Sequence, residues 1–208
     1  MNLIARLVYG GSFNPIHKGH LDVIDYVLKK NICLEIFIIP NYQSPFKDLK
    51  DYAPPEIRLE MIHYAIQSYF SLEIQNKIKI LDIEIREKKI SYTVETLKKI
   101  RDNVKTGILI GSDHLEHLLL WKEIEWIFTY YPFYVIKRKN AEESVKQKIE
   151  KIQSFYPSCK FVLIDYVPKN CESKLIREKI KWNADYSDLS DCLTPEVFSL
   201  IKKNKLYS

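Results

Sequence analysis

Leu3-Ile4-Ala5-Arg6-Leu7-Val8-Tyr9 runs directly into Gly10-Gly11-Ser12-Phe13-Asn14-Pro15-Ile16-His17-Lys18-Gly19-His20-Leu21. The first seven residues read as a short strand rich in branched apolar side chains. Two glycines then allow close backbone approach. A helix over about His20–Lys30 places Leu21, Ile24, Val27 and Leu28 at helical spacing. A second apolar run, Leu34–Ile39, follows after a short connection. Strand, glycine turn, helix and strand make a βαβ unit, whose two strands lie parallel with a right-handed crossover.

The alternation continues along the chain. Further strands are predicted at Ile78–Ile85, Gly107–Ile110, Phe133–Lys137 and Phe161–Asp165. Helices are predicted from Pro55 onward, carrying Ile57, Met61, Tyr64, Ala65 and Ile66, and over Thr93–Arg101, Leu115–Thr129, Ala141–Ser154, Ser173–Trp182 and Pro195–Lys203. Thr194 reads as the N-cap of the last. Strands apolar on both faces and separated by helices predict an α/β fold: a Rossmann-like doubly wound parallel sheet with helices on both faces. One domain over residues 1–208 is expected, with a helical part from about 170 to 208 packed on it, and the polar stretch Asn41–Pro54 reads as a loop over a site.

Composition narrows the class. Of 208 residues, 46% are hydrophobic and 28% charged, with five glycines and nine prolines, which excludes a disordered, collagen-like or Gly/Pro-rich chain. No apolar run approaches membrane-spanning length and Arg6 interrupts the N-terminal one, so a soluble, cytoplasmic protein with no membrane partner is expected. Cys33, Cys159, Cys171 and Cys192 form no C-x-x-C pair, so free thiols are expected rather than zinc ligands or a disulfide framework. The formal charge of +5 is compatible with phosphate-bearing or nucleic-acid partners, but the basic residues are spread widely.

Ligands of open parallel sheets bind at the carboxyl ends of the strands, so the segment after the first strand carries the most information. It lacks both G-x-x-x-x-G-K-[ST] and G-x-G-x-x-G, which rules out the ordinary P-loop and dinucleotide readings. In their place stand His17 and His20, three apart at a helix entrance, where both imidazoles can donate to phosphate oxygens beside the helix's own N–H groups. Gly19 between them permits close ligand approach. An H-x-x-H pair can also merely cap or pack, or form half of a metal site with no third ligand in view.

In context this stretch resembles the (H/T)-x-G-H signature of the nucleotidylyltransferase superfamily, in its G-G-(T/S)-F-(D/N)-P-x-H-x-G-H-L form. The remaining segments resemble bacterial nicotinate-nucleotide adenylyltransferases: Ile38-Ile39-Pro40-Asn41 with Pro45-Phe46-Lys47, Arg58-Leu59-Glu60-Met61, Ser91 to Leu97, Ile110-Gly111-Ser112-Asp113, Trp121, Ser173 to Arg177, and Asn204 to Tyr207. The resemblance implies transfer of AMP from ATP to nicotinate mononucleotide, with release of pyrophosphate, on a Rossmann-like sheet. It also implies Mg²⁺ held mainly by ATP phosphates and water rather than by protein ligands.

By resemblance the catalytic residues are His17, His20, Lys47 and Arg177. ATP would meet Gly10, Gly11, Ser12, Phe13, His17, His20, Ser173, Ile176 and Arg177. Nicotinate mononucleotide would meet Asn14, Lys47, Thr93, Gly111, Asp113, Trp121 and Lys122, with Asp113 near ribose hydroxyls. Phe46 departs from the histidine common in the family, and Lys122 stands where many relatives carry tyrosine, so its ammonium is a candidate attraction for the nicotinate carboxylate. Trp121 can stack on the ring, or pack as part of a Leu118, Trp121, Ile124 helical stripe.

Adenylyl transfer asks little of acid–base groups, because the attacking phosphate is already ionised; donors and cations must hold two anions in line. The rival acceptors are phosphopantetheine and nicotinamide mononucleotide. A basic nucleic-acid-binding module is the rival of another class, which the histidine motif disfavours, so no nucleic-acid partner is expected. His114 and His117 could suggest a metal-dependent phosphohydrolase but lack distant ligands, and Arg138 is a possible triphosphate contact. Monomer and homo-oligomer both remain open.

Overall fold

β1 (Ile4–Gly11), β2 (Cys33–Pro40), β3 (Ile78–Ile80), β4 (Thr106–Gly111), β5 (Phe133–Ile136) and β6 (Phe161–Ile164) form one sheet in the computed structural model, which describes residues 3–46, 52–137 and 142–207. Their order is β3-β2-β1-β4-β5-β6 and every pairing is parallel. Between β1 and β4 the winding reverses. The strands beyond this switch point diverge in connection, leaving a crevice at their carboxyl ends.

The helices are α1 (Lys18–Lys29), α2 (Pro55–Tyr69), α3 (Leu72–Gln75), α4 (Ile83–Glu87), α5 (Thr93–Ile100), α6 (Ile124–Tyr130), α7 (Glu142–Phe155), α8 (Ser173–Lys181), α9 (Tyr186–Leu189) and α10 (Pro195–Lys203). They cover the two faces of the sheet, as the sequence predicts. Alternate strand residues enter opposite cores: Leu7, Ile36, Ile38 and Leu109 join one, Val8, Phe37, Ile39 and Ile108 the other. The first core takes Leu21 and Ile24 of α1, Met61 and Ile62 of α2, Ile180 of α8 and Val197 and Ile201 of α10. The second takes Leu97 of α5, Ile127 and Phe128 of α6 and Val145 and Ile152 of α7. Burial on both sides is why these strands read as continuous apolar runs.

Three expectations are corrected. The third strand is shorter than the predicted Ile78–Ile85: pairing with β2 covers Ile78 to Ile80, and Ile83–Glu87 coils into α4. The predicted helix Leu115–Thr129 is broken into two 3₁₀ turns, Ser112–Glu116 and Leu118–Leu120, followed by α6; Trp121 is extended and Glu123 has φ 51°. Finally, Cys171 and Cys192 are bonded, S–S 2.07 Å, while Cys33 and Cys159 are free and buried. The pairing arises because the loop before α8 folds against the turn before α10, which no spacing of cysteines reveals. Thr194 caps α10 as predicted, accepting from Val197 N at 3.4 Å.

Candidate active site

The end of β1 and the start of α1 are tied together by the two histidines. His17 is the N-cap of α1, and its Nδ1 accepts from His20 N while His20 Nδ1 accepts from His17 N, both at 3.3 Å. This is a capping box built from imidazoles in place of hydroxyl and carboxylate. The rings stack, with centroids 3.6 Å apart. A Nδ1 that accepts cannot carry the proton, so each neutral ring bears its N–H at Nε2, on the side away from the cap. Two Nε2–H donors side by side suit the oxygens of one phosphate.

The helix N–H groups contribute less than the sequence suggested: Lys18 N donates to Cys192 O at 2.8 Å and His20 N to His17, so the imidazoles are the principal donors. Gly19 is likewise required by the protein itself. A Cβ there would meet Lys169 O at 2.9 Å and the His17 ring at 3.1 Å.

α8 closes the opposite side. Ser173 Oγ donates to Pro15 O at 3.0 Å and Arg177 Nη1 to Asn14 O at 2.9 Å, so both predicted phosphate contacts also staple α8 to the β1–α1 loop. Asn14 is 3% exposed, and its Oδ1 accepts from Ala53 N at 3.0 Å and Tyr207 OH at 2.7 Å. Burial raises the Tyr207 pKa, which keeps the phenol protonated and donating. The Ile176 side chain, expected beside ATP, instead lies in the core at 2% exposure, leaving only its backbone to meet a ligand.

Two adjoining cavities open at this edge. The larger, about 530 Å³, is walled by Gly10 to Asn14, His17, His20, Gly111, Asp113, Ser173 and Arg177, among others. The smaller, about 230 Å³, is mostly apolar and is walled by Ile39, Tyr92, Thr93, Leu97, Trp121 and Lys122, among others. Trp121 and His114 border both. The structure thus gathers the predicted ATP residues other than Ile176 around one cavity and Thr93, Trp121 and Lys122 around the other. Asn14, Gly111 and Asp113 sit on the larger. Lys47 and Arg138 lie outside the described residues.

Charge in the small cavity is internally balanced. Lys122 Nζ lies 2.7 Å from Glu95 Oε1 and 4.5 Å above the Tyr92 ring. Hydrogen bonds from Lys122 and Lys89 hold the Glu95 carboxyl down to about 2. At the wall, Glu84 accepts from Thr96 Oγ1 at 2.5 Å, and burial raises its pKa. No group of three His, Cys, Asp or Glu among the described residues is placed to hold a metal.

In the sequence Arg58 stands out only as part of the segment Arg58-Leu59-Glu60-Met61. It is fully buried and donates to Ser12 O at 2.6 Å, Ala53 O at 3.1 Å, Asn41 O at 2.7 Å and Tyr42 O at 2.9 Å. Burial lowers its pKa, and among the described residues no carboxylate pairs with it. One guanidinium therefore fixes the loops after β1 and β2 against the start of α2.

Comparison with known proteins fits this arrangement. The family pattern described as cytidylyltransferase-like matches residues 8–179. A protein of Clostridium acetobutylicum, named a probable nicotinate-nucleotide adenylyltransferase, is 33% identical over 97% of this chain and 98% of its own. One of the same name from Aquifex aeolicus is 36% identical over 73% of this chain and 86% of its own. Among solved structures, the Plasmodium falciparum nicotinic acid mononucleotide adenylyltransferase complexed with NaAD superposes with TM-score 0.77 at 24% identity, covering 98% of this chain and 97% of that one. With its histidine cradle, paired cavities and full-length relatives, the chain belongs to the nicotinate-nucleotide adenylyltransferase family.

Proposed function

We propose that this crevice transfers the adenylyl group of ATP to nicotinate mononucleotide, giving nicotinate adenine dinucleotide and pyrophosphate. The observation that carries the reading is the pair of cavities that share Gly10, Gly11, Asn41 and Trp121 as walls, one mostly apolar and ring-sized, the other lined by the stacked His17 and His20. A pyridine in the small cavity brings its 5′-phosphate to the junction, where the triphosphate of ATP lies in the large one. A phosphate oxygen of the mononucleotide attacks the α-phosphorus, the bond to the β-phosphate breaks, and pyrophosphate leaves with its electron pair.

No protein nucleophile is required. The histidine Nε2–H donors hold the α-phosphate, and Arg177 meets the β- and γ-phosphates with the guanidinium donors not spent on Asn14 O. Lys47 adds positive charge from the loop after β2. Thr93 and Trp121 receive the nicotinate ring, and Asp113 receives ribose hydroxyls. Asp113 and Glu172 are carboxylates on the wall of the large cavity, a sparse oxygen set that fits Mg²⁺ kept mostly by phosphates and water. Bound there, it would neutralise charge on the leaving pyrophosphate. ATP and a phosphorylated acceptor as substrates support a cytoplasmic enzyme.

The test is pyrophosphate release with ATP and a panel of acceptors. Nicotinate mononucleotide should give the highest kcat/KM, nicotinamide mononucleotide a lower one and phosphopantetheine none. Faster turnover of phosphopantetheine, or no release with any acceptor, would overturn the assignment.

A further inference from the structure

The stretch after α10 turns back onto the β1–α1 loop. Lys205 and Tyr207 both have left-handed backbones, φ 49° and 65°, which L side chains adopt at a cost. Leu206 N donates to Ile201 O at 3.0 Å, and the Leu206 and Tyr207 side chains pack on the first core. Packing alone explains Leu206. For Tyr207 it leaves the hydroxyl unexplained, since a phenylalanine ring would cover nearly the same surface. That hydroxyl donates to Asn14 Oδ1 at 2.7 Å. Burial raises the phenol's pKa, and the nearby Arg177 charge only partly offsets the rise, so the proton stays available for the bond.

Asn14 joins this donor to the site. Its Oδ1 accepts from Tyr207 OH and from Ala53 N, at 2.7 and 3.0 Å, and its C=O accepts from Arg177 Nη1 at 2.9 Å. Asn14 and Arg177 stand on the wall of the large cavity, whereas Tyr207 borders neither cavity. The hydroxyl therefore touches no ligand. It fixes the side chain of the residue whose carbonyl sets the direction of the arginine. A planar guanidinium with one donor spent on that carbonyl turns as the carbonyl turns, and its remaining donors turn with it.

We infer that Tyr207 is a positioning residue of the phosphate cavity, its hydroxyl holding Asn14 so that the Asn14 carbonyl keeps Arg177 aimed at the leaving pyrophosphate of ATP. This rests on the adenylyltransferase reading above. Donors aimed at developing charge lose their effect on small displacement. Removing the Tyr207 hydroxyl therefore acts on the rate through Arg177, without any change at a group that meets substrate.

A double-mutant cycle tests this: kcat/KM for ATP, read from pyrophosphate release at saturating nicotinate mononucleotide, in the wild type, Tyr207→Phe, Arg177→Ala and the double variant. Tyr207→Phe keeps the ring on the core and leaves Asn14 Oδ1 bonded to Ala53 N, so the variant should fold. Melting curves check this, and all rates are taken well below the melting temperatures. In the wild-type background Tyr207→Phe should lower kcat/KM by about three- to tenfold, the scale of one hydrogen bond. In the Arg177→Ala background the same change should alter it by less than about 1.5-fold. An equal loss in both backgrounds would show a structural role unconnected with Arg177 and overturn the inference, as would a wild-type rate in Tyr207→Phe. Absence of pyrophosphate release from the wild type would instead sink the functional reading, and with it the role given to Tyr207.

Discussion

The two cavities are built on opposite principles. In the large one four candidate side chains are held by the protein's own backbone: His17 and His20 cap each other's N–H groups, Ser173 bonds Pro15 O and Arg177 bonds Asn14 O. In the small one the walls are mostly apolar and come from β1, β2, β4 and α5, while Trp121 comes from irregular chain, extended between a 3₁₀ turn and a residue at φ 51°. The difference teaches where precision is spent. Donors aimed at a charge-rich transition state lose their value when displaced by an ångström, so they are locked before substrate arrives. A flat ring needs only area and shape.

The sharpest way to break this contrast is to remove a locked donor. His20→Ala deletes one Nε2–H donor and half of the imidazole cap, and kcat should fall by about 10²–10³-fold, as for loss of an oxyanion donor. Losing the cap costs only about 1 kcal/mol, a shift in Tm of a few degrees for a chain of this size. Single-turnover rates beside melting curves separate the two effects. A kcat within threefold of wild type would mean that the phosphate is held elsewhere.

The small cavity should respond in a different parameter. Trp121 stands edge-on to Phe133, centroids 6.1 Å apart, so it has packing partners of its own and offers the ring a wall rather than a bond. Trp121→Ala should raise KM for nicotinate mononucleotide by about tenfold, the scale of one aromatic contact with its buried area. KM for ATP should stay within about twofold, and Trp121→Phe should restore most of the loss. Equal rises in both KM values would dissolve the distinction between ring cavity and phosphate cavity.

The same contrast governs what was legible in the sequence. The sheet could be read because each central strand is buried on both faces and so is apolar throughout: Leu7 and Val8 serve opposite cores. The pairing of the two imidazoles could be read because caps are local, and His17 and His20 meet within the first turn of α1. What failed depended on distant chain. Leu118, Trp121 and Ile124 are spaced as a helical stripe, yet Glu123 interrupts the helix and Trp121 turns to the cavity. Gly19 answers to Lys169 O, Cys171 to Cys192, and Arg58 to carbonyls on two separate loops. Each partner is set by topology, which local pattern does not encode.

The smallest effect is expected at Lys122, where sequence reasoning placed an attraction for the nicotinate carboxylate. The ammonium is already paired with Glu95 at 2.7 Å, and both side chains are substantially exposed, at 43% and 27%. Glu95 in the folded chain titrates at about 2, below its ordinary value of 4.5, because Lys122 and then Lys89 bond its ionised form. A depressed carboxylate pKa gives a contribution that is complete above the unfolded value and is lost as pH falls toward the folded one. Across about pH 6 to 8 the pair therefore stays fully charged and self-neutralising. Lys122→Ala should raise KM for nicotinate mononucleotide by less than about threefold, with no dependence on pH over that range. Glu95→Gln sharpens the point by freeing the ammonium, and should lower that KM slightly while leaving KM for ATP unchanged. A tenfold, acceptor-specific rise in Lys122→Ala would show that the lysine abandons Glu95 for the substrate, and that the ring cavity also recognises charge.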